Sequence, residues 1–149
     1  MNTFTVKDIM NEGPCPDYTE EVVTELWAGR EELTFKEVCN LDIAIDDRVW
    51  ISARLVPIEI AVKWADYCAD EAQKHASYAA DYATDAATNA AYAAYYAADY
   101  AADAATNAAD YAADAATNAA YAAYHADRKT TRNKELKRLL KKLVEMNIK

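Results

Sequence analysis

Apolar positions in the first 57 residues fall into short clusters punctuated by glycine and proline, whereas those beyond Pro57 recur without a break. Both glycines (Gly13, Gly29) and all three prolines (Pro14, Pro16, Pro57) precede residue 58, and no strand-type alternation follows it, so the pattern predicts helix over 58–149. In the N-terminal part, Thr5 is placed to cap a turn through Met10, ended by Glu12-Gly13-Pro14. Asp17 reads as the cap of a second helix carrying Val22, Val23, Leu26 and Trp27, with Gly29 as its stop. Thr34 followed by Glu37 is a capping-box pattern for a short third helix. Asp46 or Asp47 starts a fourth, with Val49, Trp50, Ala53 and Leu55 or Val56 inward. Pro57 then breaks the chain or takes an early position in the next helix. The tail Asn133–Ile148 is amphipathic, with Leu136, Leu139, Leu140, Leu143 and Val144 as its apolar stripe and Lys134, Lys137, Lys141 and Lys142 around the rest.

From Trp64 onward the pattern becomes a repeat. The eleven-residue unit Ala-Ala-Asp-Tyr-Ala-Ala-Asp-Ala-Ala-Thr-Asn stands at 79–89 (with Thr84 for Ala), 97–107 and 108–118, and 64–74 is a degenerate copy. Seven-residue pieces, Ala-Ala-Tyr-Ala-Ala-Tyr-Tyr and Ala-Ala-Tyr-Ala-Ala-Tyr-His, are interposed at 90–96 and 119–125. On a helix, eleven residues overshoot whole turns by about 20° and seven undershoot by about 20°, so alternating them keeps each face aligned. Asp, Thr and Asn then share one side with Tyr at its margin, and alanine alone occupies the other. A face that smooth allows close approach of a second helix and is covered either within the chain or by a second copy. As one rod, 58–125 would span roughly 100 Å. A hairpin or bundle is the expected form, with Thr88-Asn89, Thr106-Asn107 and Thr117-Asn118 as candidate breaks because Asn caps helices and tolerates left-handed backbone. The fold expected is a single all-α domain, 1–149, in three parts. These are short N-terminal helices (1–57), long Ala-rich acidic repeat helices (58–125) and a basic amphipathic C-terminal helix (126–149).

Charge sharpens this picture. The formal net charge is −9, yet residues 1–125 carry 7 Lys/Arg against 22 Asp/Glu, while 126–149 carry 9 against 3. An acidic body of that kind repels nucleic acid and attracts basic partners. Eleven tyrosines against two phenylalanines favour edges and interfaces over a dry core. Three cysteines, Cys15, Cys39 and Cys68, lack CxxC spacing and read as free thiols. The opening MNTFTVKDIM has no basic stretch leading into an apolar run, and no uncharged stretch reaches membrane-span length. A soluble, cytoplasmic protein is expected, with membrane association disfavoured.

Three segments resemble a family described as immunity proteins of bacteria and phages. They are Val6-Lys7-Asp8-Ile9 through Gly13-Pro14-Cys15, then Asp47-Arg48-Val49-Trp50-Ile51, then Ala61-Val62-Lys63-Trp64-Ala65-Asp66-Tyr67-Cys68-Ala69, followed by an Ala-rich tract with aromatics every three or four positions. The family's tract aromatic is often tryptophan, where this chain has tyrosine. The resemblance implies a helical binding protein acting in toxin–antitoxin or phage–host conflict, with no catalytic residues to carry over.

The recurring pairs Asp81/Asp85, Asp99/Asp103 and Asp110/Asp114 sit four residues apart. Their plainest reading is a solvated helix face. A sharper one is mimicry of a nucleic-acid backbone, since carboxylates ~6 Å apart approximate phosphate spacing. Repetition argues against one acid–base site, and divalent metal binding needs several converging oxygens. His75 and His125 lack ligand-spaced companions, and there is no Ser-His-Asp set, P-loop or glycine-rich loop, so neither catalysis nor a cofactor is expected. Thr88, Thr106 and Thr117 on an alanine helix echo ice-binding repeats, but their spacings of 18 and 11 and the surrounding aspartates oppose that use. The basic tail has an amphipathic pattern compatible with lipid or nucleic acid, although such helices more often pack their leucines on their own domain. The function expected is a non-enzymatic inhibitor or immunity-type protein that occupies a basic surface of a target, including the nucleic-acid-binding surface of a host or phage protein. Asp81, Asp85, Asp99, Asp103, Asp110 and Asp114 supply charge, and Tyr82, Tyr100 and Tyr111 supply contact area and stack on arginine. The alternative is a self-assembling structural protein, a homodimer or larger, joined through alanine faces.

Overall fold

A computed structural model describes residues 2–98, 102–127 and 130–148, apart from the side chains of residues 102–104. Among them the order is β1 (Thr3–Phe4), α1 (Val6–Asn11), α2 (Glu20–Trp27), β2 (Leu33–Thr34), α3 (Phe35–Cys39), α4 (Ile45–Leu55), α5 (Ile58–Gln73), α6 (Ala80–Ala97), α7 (Ala102–Ala126) and α8 (Arg132–Ile148). The fold is predominantly helical, as the pattern predicts. The exception is the antiparallel pairing Thr3↔Thr34 and Phe4↔Leu33, two residues a side and too short to leave a periodic signal.

Caps decide where the short helices begin. Thr5 accepts from the Asp8 N–H at 3.2 Å while the Asp8 carboxylate accepts from the Thr5 N–H at 2.7 Å, and Thr34 and Glu37 repeat the arrangement for α3. These bonds hold the Asp8 and Glu37 carboxyls below their ordinary pKa. Asp17 does not cap α2. The chain is still turning there, with the Tyr18 N–H donating to the Cys15 carbonyl, and Thr19 takes the cap. The helix ends on Ala28, left-handed at φ 51°, followed by Gly29 at φ 80°. Ala44 precedes α4, leaving Asp46 and Asp47 in its first turn, where carboxylates favour the helix dipole. Ile45, Val49, Ile51, Ser52 and Ala53 of α4 are buried, as is Val56 beyond it, whereas Trp50 and Leu55 are half-buried rather than core.

The repeat folds as packed helices, not as a rod. The chain turns at residues 74–79 and α6 packs along α7, and each of the three Thr-Asn pairs lies inside a helix rather than at a break. Thr117 shows why: its hydroxyl donates to the Ala113 carbonyl at 3.1 Å, a bond that satisfies the side chain without opening the helix. α7 lies centrally, packed against α4, α5, α6 and α8. Ala108, Ala112, Ala115, Ala116, Ala120 and Ala122 of α7 are fully buried, and Ala83, Ala86, Ala90 and Ala93 of α6 are buried with them. The alanine face is therefore covered within one chain.

At the margin of that contact the tyrosines join α6 to α7 in antiparallel order. Tyr82 stacks on Tyr121 and His125 at centroid distances of 5.3 and 5.0 Å, and Tyr111 stacks between Tyr92 and Tyr96 at 5.0 and 5.4 Å. The tail completes the core. Leu136, Leu139, Leu140, Leu143 and Val144 of α8 are buried, and the Trp64 indole of α5 donates to the Leu139 carbonyl. Its cations meet the acidic body: Arg132 pairs with Asp46, Arg138 with Glu71 at 2.8 Å, and Lys142 lies 5.3 Å from the Tyr67 ring centre.

Candidate functional site

Between the Gly13–Tyr18 loop, α4 and α7 lies a cavity of about 570 Å³. Its floor is apolar, built from Val23, Leu26, Trp27, Val38, Val49 and Ile51, and its polar wall is Tyr18, Asp46, Asp47, Arg54, Asp114 and Thr117, with Trp50 and Cys15 beside them. The loop reaches this position because Gly13 adopts φ 68°, which turns the chain sharply after α1. α4 contributes Asp46, Asp47, Trp50 and Arg54, residues spaced so that one helical side faces the cavity. α7 contributes Ala113, Asp114 and Thr117, where alanine leaves the space a larger side chain would fill.

The charges along this wall are unequally satisfied. Arg54, with only 10% of its side chain exposed, donates to Asp110 at 2.7 Å and to the Glu12 carbonyl at 3.4 Å, and its guanidinium lies 4.3 Å from the Trp50 ring centre. Asp46 is neutralised by Arg132. The Asp47 carboxylate accepts from the Tyr18 hydroxyl at 2.6 Å; burial first, then that bond and charge, push the Tyr18 pKa up to about 12. Among the described residues, neither Asp47 nor Asp114 forms an ion pair with a cation. Asp114 is open to water at its edge, yet desolvation, and then the neighbouring Asp110 charge, raise its carboxyl pKa.

The sequence-derived site is thus divided. Asp81 and Asp85 are exposed on α6. Asp110 is tied to Arg54, and Asp114 faces the cavity. Tyr82 and Tyr111 are half-buried in the α6–α7 stacks, so their rings are largely engaged within the chain. Asp99 and Tyr100 lie outside the described residues, as does the side chain of Asp103. The pattern of repeats gave no hint of Tyr18, Asp47, Trp50 and Arg54 as a polar wall. Asp47 read as a helix starter and Trp50 as core, and only packing against α7 reveals their shared cavity.

Among the described residues no set of three His, Cys, Asp or Glu side chains converges to hold a metal, and no helix is long and apolar enough to cross a membrane. Comparison with family models, curated proteins and solved structures finds no match to the chain.

Proposed function

We propose that the protein is a non-enzymatic binding protein of inhibitor or immunity type, which occupies a basic surface of a target protein through its acidic body. The observation that carries this reading is the imbalance of charge. The tail's Arg132 and Arg138 are spent on Asp46 and Glu71, while Asp81, Asp85, Asp47 and Asp114 form no ion pair among the described residues. Carboxylates left in that state repel one another, attract Lys and Arg, and speed encounter with a basic surface. Exposed Tyr92 and Tyr95 beside the acidic helix add apolar contact area of the kind found at interfaces. A nucleic-acid-binding protein is the sharpest form of target, since its basic surface already fits regularly spaced anions.

The alternative, self-assembly through alanine faces, has less support because those alanines are covered within one chain.

Capture from cell lysate tests the reading. The immobilised parent should retain basic proteins that the Asp81→Asn, Asp85→Asn, Asp47→Asn, Asp114→Asn variant does not, and duplex DNA should displace them. Retention of the same proteins by both forms would contradict it.

A further inference from the structure

We propose that the cavity between the Gly13–Tyr18 loop, α4 and α7 receives an arginine side chain from the partner protein. This rests on the reading of the chain as a binder of basic surfaces and assigns that surface its central contact. The cavity, at about 570 Å³, holds a side chain of that size with room for the adjoining backbone. Its apolar floor suits the aliphatic stem. The Tyr18 ring at its wall suits the flat face of a guanidinium, and the carboxylates of Asp47 and Asp114 suit its N–H fork. Among the described residues neither carboxylate forms an ion pair, and Arg54, the cation that shares this wall, is held by Asp110.

Chemistry chooses among cations. Arg54 lies 4.3 Å from the Trp50 ring centre with Asp110 at 2.7 Å, so this wall already accommodates one guanidinium against a ring and a carboxylate. A lysine ammonium lacks the planar fork that matches both ring and carboxylate.

The probe is acetyl-Gly-Arg-Gly-amide, titrated into the full chain while the indole resonances of Trp27, Trp50 and Trp64 are followed by NMR. Saturable shifts are expected at Trp50 and not at Trp64, which is buried against α8. The same peptide with citrulline in place of arginine should bind at least about tenfold more weakly, as should Asp47→Asn/Asp114→Asn protein, because charge-assisted hydrogen bonds are lost. Glu59→Gln/Asp70→Asn, exposed acids of α5 that do not line the cavity, should bind the peptide like the parent. Equal binding of the citrulline peptide, or unchanged binding by Asp47→Asn/Asp114→Asn, would overturn the proposal. Spermidine binding at Trp50 as tightly as the peptide would assign the cavity to a small amine and overturn it as well. The broader reading is judged separately. Salt-sensitive binding of a basic target without peptide binding removes the arginine pocket alone, and peptide binding without such a target removes the acidic-body reading alone.

Discussion

The Nε1–H of Trp64 donates to the backbone carbonyl of Leu139 at 2.8 Å, joining α5 to a residue 75 positions further along the chain. Trp64 is fully buried, so this bond forms away from water and holds the basic tail helix in the core.

Replacing Trp64 with Phe keeps an aromatic ring but removes the donor and leaves a small void. The loss should be about 1–3 kcal/mol, and Trp64→Ala should cost about 3–5 kcal/mol. Urea titration checks this: the midpoint should fall while the slope stays near that of the parent. A midpoint unchanged by Trp64→Ala would mean that α8 is not docked as described.

The covered alanine face makes a second expectation. Ala116 is fully buried in α7, whereas Ala105 is exposed on the same helix. Ala116→Gln forces a long polar side chain into a closed contact and should cost about 3 kcal/mol or more. Ala105→Gln should stay within about 0.5 kcal/mol of the parent. Thermal melts of the two variants separate these outcomes directly.

The two acid pairs should respond differently to the same change. Asp110 holds Arg54, whose side chain is 10% exposed, but Asp110 itself is 43% exposed and partly screened. Asp110→Asn should therefore cost about 1–2 kcal/mol, less than a fully buried pair. Asp85→Asn, on an exposed residue, should change stability by no more than about 0.5 kcal/mol. Denaturant midpoints provide the comparison.

Asp114 should behave in the opposite sense with pH. Its folded-state pKa is raised, chiefly by desolvation, so its ionised form weakens the fold. That penalty is full above the folded pKa and gone below the unfolded value near ~3.9. Asp114→Asn should therefore be at least as stable as the parent at neutral pH, and its advantage should shrink as pH falls toward the unfolded value. Midpoints measured from neutral to acid pH check the trend.

The legible part of this protein was its local chemistry. Thr5 and Thr34 announce their helices through capping boxes, the lack of Gly and Pro after Pro57 announces the long helices, and the leucines of the tail announce a buried stripe. What local chemistry could not reveal is where the repeat turns. Residues 74–79 contain neither Gly nor Pro, and the Thr-Asn pairs that carry cap chemistry stay helical because α6 and α7 gain more by packing along their full length. The same holds for the candidate site. Asp114 was visible as an acidic repeat position, but Tyr18, Asp47, Trp50 and Arg54 join it only through the packing of α4 on α7. The tyrosines illustrate the converse: their periodicity was plain, yet Tyr82 and Tyr111 serve the contact between two helices of the chain itself.

The measurement that bears most directly on the central claim is the rate of association with a captured basic target, followed across ionic strength. The parent should associate progressively more slowly as salt rises, because screening shortens the reach of exposed carboxylates to about 8 Å at physiological ionic strength. The Asp81→Asn, Asp85→Asn, Asp47→Asn, Asp114→Asn variant, folded by circular dichroism, should associate about tenfold more slowly at low salt and show a shallower salt dependence. If the variant associates as fast as the parent at every salt concentration, the acidic body does not drive binding and the account is wrong.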